Sequence, residues 1–168
     1  FLMYLACIDS LNPAPVMKPL TIFVLMLISA QVTAQVSRSQ EVQQTIDRFF
    51  ERFHQRDTSG IRQLLTADAK LQSIAADPQG RPVLHTEAME HFLASLAAMP
   101  DSLAFEEKLL DYQVKVDGNM AHAWTPYTFH VDGAFHHCGV NSFQLFHDGN
   151  AWRIFHIADT RRRQGCEE

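Results

Sequence analysis

The sequence predicts an α+β domain, with helices first and a meandering antiparallel sheet after them. Two patterns predict it. In the stretches 40–56 and 87–98 apolar side chains recur at the spacing of an amphipathic helix, whereas over residues 110–160 they alternate with polar ones, as in half-buried strands. A third observation supplies the connections: Asp117-Gly118-Asn119, Asp132-Gly133 and Asp148-Gly149-Asn150 interrupt the alternating runs. Asp-Gly between such runs is the strongest local hairpin signal. Helices followed by a meander pack as a layer covering one face of a sheet.

The first helix is expected from Gln40 to Arg56, capped by Ser39, with Val42, Ile46, Phe49, Phe50 and Phe53 forming its apolar stripe. Glu41 stands in its first turn, where the helix dipole favours a carboxylate. Asp57-Thr58-Ser59-Gly60 ends it and caps a short second helix bearing Ile61, Leu64 and Leu65. Lys70 to Ile74 and Arg81 to His85 read as weak strands around the turn Asp77-Pro78-Gln79-Gly80. A third helix runs from Glu87 to about Ala98, with Met89, Phe92, Leu93 and Leu96 inward and Pro100 as its stop. Four long strands complete the chain: Leu110 to Val116, Met120 to Val131, Phe135 to His147 and Ala151 to Thr160.

Composition narrows the class. A chain of 168 residues is one domain, and 46% apolar with 20% charged residues is ordinary for a globular protein. Twelve Phe, two Trp and three Tyr are enough to bury a core, which excludes disorder. A net charge of -5 argues against nucleic acid, whose phosphates need a basic face. Met17-Lys18, the apolar run Leu20 to Ile28 and the small residues Val32-Thr33-Ala34 together form a secretory signal pattern over 17–34, too short to span a bilayer. The alternative is an uncleaved anchor. Residues 1–16 read as upstream read-through. Cleavage near Ala34 would leave a secreted or periplasmic protein with no membrane attachment and a domain over 39–166. Cys7 leaves with the leader, and Cys138 and Cys166 remain in an oxidising compartment.

The order helix–helix–hairpin–helix–four strands resembles the nuclear transport factor 2-like superfamily, whose cone-shaped fold packs three N-terminal helices on a curved, mainly antiparallel sheet. Phe135-His136-His137-Cys138-Gly139-Val140-Asn141-Ser142-Phe143-Gln144-Leu145, then Trp152-Arg153-Ile154 and Ile157-Ala158-Asp159-Thr160-Arg161-Arg162, resemble its secreted bacterial branch, labelled lumazine-binding or SnoaL-like. The resemblance implies an internal pocket and a homodimer through the sheet. It implies no single activity, because the superfamily holds isomerases, dehydratases, cyclases and non-catalytic binders.

Register estimated from the turns pairs Leu145 with Trp152, Phe143 with Ile154, Asn141 with His156, Thr128 with His137 and Trp124 with Asn141. This puts Trp124, Thr128, His137, Asn141, Phe143, Leu145, Trp152, Ile154 and His156 on the concave face. Its apolar end would meet Phe49, Phe53 and Phe92. Asp159 has the wrong parity unless a bulge near Ala158 turns it inward. Trp124, Tyr127, Thr128, His137, Asn141, His156 and Asp159 are therefore the candidate ligand contacts, and Asp159 with His137 or His156 the candidate acid–base pair. Each has a plainer reading: Asp159 pairing with Arg161 or Arg162, His156 as a core histidine, Trp124 and Tyr127 plugging the cone, Arg161 to Arg163 as a solvated end. No metal is expected, since His136 and His137 as neighbours point to opposite faces and His130 supplies no convincing third ligand. No cofactor loop or nucleophile motif is present. Cys138 and Cys166 are expected to pair, closing a loop of about 28 residues.

The reading that results is an exported binder of a small organic molecule. An acid–base enzyme of the isomerase, dehydratase or hydrolase type is its alternative, and a non-catalytic dimerisation or interaction module is the third. Binder and enzyme stay open together, because both need convergent polar groups in a concave apolar site.

Overall fold

A computed structural model describes residues 19–166, with side chains from residue 37 onward. The chain divides into two units, Phe1–Ala34 and Gln35–Glu168, and among the described residues every strand lies in the second. The read-through assigned to 1–16, Met17-Lys18 and the side chains of the leader lie outside the described residues. Helix α1 (Pro19–His54) and the short α2 (Thr58–Arg62) precede the hairpin of β1 (Leu65–Ala76) and β2 (Pro82–Ala88). Helix α3 (Met89–Ala97) then leads into β3 (Phe105–Leu109), β4 (Gln113–Asp117), β5 (Met120–Val131), β6 (Ala134–His147) and β7 (Trp152–Thr160). The result is mixed α+β with a curved sheet. Among the described residues no helix is long and apolar enough to cross a membrane.

The seven strands run in the order β2-β1-β7-β6-β5-β3, with β4 also on β5. All pairings are antiparallel except β1 on β7. Strands β3 and β4 share one edge of β5, β4 along Met120 to Trp124 and β3 along Tyr127 to Val131. Pro126 sits at the junction. It has no N–H to offer the ladder, and its carbonyl accepts from the Leu110 amide at 2.9 Å.

Several expectations need correction. Ser39 caps nothing, because α1 runs on through it from Pro19. The last stretch holds five strands rather than four, since Phe105–Leu109 pairs with β5 and the run expected from Leu110 begins at Gln113.

The register differs most. The β6–β7 loop is two residues longer than expected, so Leu145 pairs with Ile154; beyond it Phe155 is an extra residue, so Phe143 pairs with Ile157 and Asn141 with Asp159. In β6 His136 is the extra residue, and Thr128 pairs with Cys138, Thr125 with Asn141 and Trp124 with Ser142. A bulge does turn Asp159 inward, but three residues before the expected place. One added residue flips the parity of everything beyond it.

The core lies between the sheet's concave face and the helices. Val42, Ile46, Leu145 and Ile154 have no exposed surface. Phe49 and Phe50 pack edge-on against Phe143 at 5.9 and 6.0 Å, and Phe53 stacks on Phe92 at 6.1 Å. Trp152 donates its indole N–H to Glu41 of α1 at 3.3 Å. Cys138 and Cys166 are joined by a disulfide, with Cα atoms 5.8 Å apart.

Candidate functional site

A cavity of about 350 Å³ lies between the C-terminal part of α1, helix α3 and the sheet. Its apolar wall is aromatic, from Phe49, Phe50, Phe53, Phe92, Phe129 and Phe143. Its polar wall gathers Glu107, Tyr127, His136, His137, Asn141, Asp159 and Arg161. A second hollow of about 440 Å³ lies among α2, β1 and α3, but of its charged residues Asp68 is exposed and Arg62 and Glu90 pair with each other in solvent. Convergent polar groups facing an apolar wall make the first the stronger candidate.

Glu107 is the residue that sequence reasoning missed. It sits on β3 with Phe105 and Leu109 on the same parity, and those two partly buried residues against the core carry its side chain inward. Its Oε1 accepts from the Asn141 amide at 2.7 Å. Its backbone N–H donates to His54 Nε2 at 3.0 Å, while burial holds that imidazole below its ordinary range. His54 is therefore neutral there and carries its proton on Nδ1. Desolvation in the cavity raises the Glu107 carboxyl to about 7. The Asp159 charge adds to that rise, and Asn141 and Arg161 oppose it.

Asp159 is buried and committed. Its carboxylate accepts from Arg161 Nε at 2.8 Å, from the Ser73 hydroxyl, and more distantly from the Tyr127 hydroxyl at 3.4 Å. Tyr127 makes its better bond to the Thr160 carbonyl, at 3.0 Å. Burial above all keeps that phenol protonated, and the Asp159 charge acts in the same direction. The ion pair with Arg161 is the plainer role the sequence allowed for Asp159. Arg161 lines the cavity as well, with its side chain 52% exposed at the start of the solvated Arg161 to Arg163 end.

His137 stacks on Phe129 at 4.9 Å and meets Tyr127 edge-on at 5.6 Å. Burial, then the Arg161 charge, depress it to about 4, so it is neutral at pH 7. His136 does not point away from it: the bulge brings both rings to the cavity, with Nδ1 atoms 2.8 Å apart. Among the described residues no group of His, Cys, Asp and Glu is arranged to hold a metal ion.

Tyr127, His137, Asn141 and Asp159 thus share one cavity. Three other candidates do not. Trp124 is 42% exposed on the outer face, and Thr128 lies on that face opposite Cys138. His156 also faces outward, bonded to Gln72 at 3.0 Å. The two bulges account for all three. The signal that could have found Glu107 is the alternation Phe105-x-Glu107-x-Leu109, which has the period of a strand with a carboxylate on its inner face.

Gly139 makes room for the polar wall. A Cβ there would stand 1.7 Å from the Thr160 carbonyl oxygen and 2.8 Å from the Tyr127 ring.

No protein-family model matches the sequence, and no curated protein matches it at significant similarity. Solved structures do share the fold. Rv3472 of Mycobacterium tuberculosis, a protein of unknown function, superposes with a TM-score of 0.64 at 14% identity, over 80% of this chain and 77% of that one. A nuclear transport factor 2-like protein with a cystatin-like fold from Novosphingobium aromaticivorans gives 0.61 at 18% identity, over 84% and 91%. A proposed dehydratase of the same family from Streptomyces avermitilis gives 0.57 at 18% identity, over 75% and 96%. The fold is nuclear transport factor 2-like, and at these identities the likeness extends to the fold alone.

Proposed function

We propose that this domain binds one small organic molecule in its cone, as an exported protein of the lumazine-binding or SnoaL-like branch. One observation carries the reading: a cavity of about 350 Å³ in which an aromatic wall faces Glu107, Asn141, Tyr127 and Asp159. Polar groups converging on an apolar surface are what a ligand site needs and a packed core avoids. Native mass spectrometry of the protein purified without its leader is expected to find a copurified molecule. Ser95→Phe, which fills the cavity from α3, should abolish its retention. A protein that carries nothing and answers no member of a small-molecule panel by thermal shift would leave the cone inert.

A second reading is an acid–base enzyme, and Glu107 favours it. A carboxyl near neutrality can both give and take a proton. The fold neighbours include a proposed dehydratase and the β subunit of a proposed ring-hydroxylating dioxygenase. The expected pairing of Asp159 with His137 or His156 gives way, since Asp159 is held by Arg161, His137 is a weak base and His156 is outside. On an identified substrate Glu107→Gln should abolish turnover. Turnover that survives would return the domain to pure binding.

Pairing through the sheet belongs to the same proposal. Met120, Trp124 and Phe146 are 54%, 42% and 46% exposed on the outer face of β5 and β6. Sedimentation velocity is expected to show a dimer.

A further inference from the structure

Resting on the cavity reading above, we infer that Glu107 meets its ligand as a carboxylic acid. The cavity then takes flat apolar molecules whose buried polar end accepts a hydrogen bond or a proton, such as a carbonyl oxygen or a ring nitrogen. It rejects carboxylates and phosphates.

Half of the Glu107 carboxyl lacks a partner. One oxygen takes the Asn141 amide, and the other has no protein hydrogen-bond partner among the described residues. The arginine on the cavity wall is already held by Asp159 and by the Ser73 hydroxyl, at 2.8 and 3.2 Å. From α1, neutral His54 uses its acceptor nitrogen on the Glu107 backbone. From β2, Glu87 is engaged with His91 at 2.6 Å. Tyr127 of β5 donates to Thr160, and His136 and His137 of β6 contact each other. On β3 itself Glu106 and Lys108 face solvent and pair there at 3.4 Å.

Ionising Glu107 would place a second carboxylate beside Asp159 with one guanidinium between them. Burial of an unpaired charge is costly, and the proton removes that cost. The direction of the Glu107 shift, upward to about 7, agrees with this geometry. A bound anion would find its nearest cation taken and a carboxyl as its neighbour. A neutral acceptor would find a donor on the polar wall, facing an aromatic wall on which a flat ring packs well.

Three probes of one shape test the inference: isoquinoline, naphthalene and 2-naphthoate, titrated by intrinsic fluorescence. At about pH 6 isoquinoline should bind at least about tenfold tighter than naphthalene, a margin of about 1.4 kcal/mol, and 2-naphthoate weakest. Above about pH 7 its affinity should fall about tenfold per pH unit, because the complex holds one proton that free Glu107 has lost. Glu107→Gln keeps a donor and should flatten that dependence. Glu107→Leu should reduce isoquinoline to the level of naphthalene. Carboxyl carbon-13 NMR, assigned with the Gln variant, should show Glu107 titrating near neutrality without any probe. Isoquinoline binding that is flat with pH, no better than naphthalene, or unchanged in Glu107→Leu would overturn the inference while leaving the cavity reading intact. Failure of all three probes despite that titration would overturn the cavity reading, and this inference with it. A Glu107 midpoint among the ordinary carboxylates would defeat the acid directly.

Discussion

The two ends of the concave face are built from the same strands and behave oppositely. At one end Ala121 and Ala123 of β5, Leu145 of β6 and Ile154 of β7 are almost wholly buried with Val42 and Ile46 of α1. Small residues on the strand there accept branched ones from the helix, and the space closes. At the other end α1 offers Phe49, Phe50 and Phe53, which pack on one another and on Phe143, Phe92 and Phe105. The strands answer with Tyr127, Asn141 and Asp159, and a cavity remains. A sheet face becomes a site where its side chains stop interlocking with the helix and start bonding to each other.

The contrast between the two ends can be broken at its seam. Gly139→Ala should be the most damaging change, because the new Cβ collides with the Thr160 backbone as well as the Tyr127 ring. A loss of about 4 kcal/mol or more is expected in urea denaturation, and a loss below about 1 kcal/mol would show that the close approach is dispensable. Phe143→Ala, at a fully buried ring between the two ends, should cost about 3–5 kcal/mol.

Glu107→Gln tests the open end through pH. The folded carboxyl keeps a proton to about 7, whereas the ordinary value is 4.5. Folding therefore binds a proton at Glu107 across that window, and the Glu107 contribution to stability should fall as pH rises from about 4.5 to about 7, by about 3 kcal/mol at most, against the opposite trend of His137. It is then constant above. The Gln variant should lack this fall, and equal slopes in the two proteins would remove the claim. Smallest of all, Trp124→Ser on the outer face should shift stability by less than about 0.5 kcal/mol and leave the cavity's ligands unaffected, while weakening self-association.

The sequence marks the turns well because their chemistry is local. Asp132, Gly133, Gly118 and Gly149 adopt φ of 50°, 76°, 55° and 101°, the left-handed values that Asp-Gly and Gly adopt with little strain. Strands β5 and β6 consequently begin and end within a residue of expectation. The two bulges are invisible for the converse reason. His136 and Phe155 fit on either face, so nothing local shows that each goes unpaired in its strand, and the error carried Trp124, Thr128 and His156 to the wrong side.

Glu107 was hidden by its charge, since a carboxylate between Glu106 and Lys108 reads as solvent. What looked like two separate motifs is one ladder. Asn141 faces Asp159, the Val140 amide donates to the Thr160 hydroxyl at 3.1 Å, and Cys138 exchanges two 2.9 Å bonds with Arg162. Their spacing is set by strand pairing across a bulge, which no linear pattern displays.

The disulfide has a topological consequence. Residues 138 to 166 form a covalent ring that contains most of β6, all of β7 and the Asp148-Gly149-Asn150 turn between them. That turn is exposed and is where a protease would cut. A single cut there opens the ring without parting the chain, so Asn141 and Asp159 would stay tethered on either side of the break. The nicked protein should migrate intact until a reductant is added, and only then separate into two pieces.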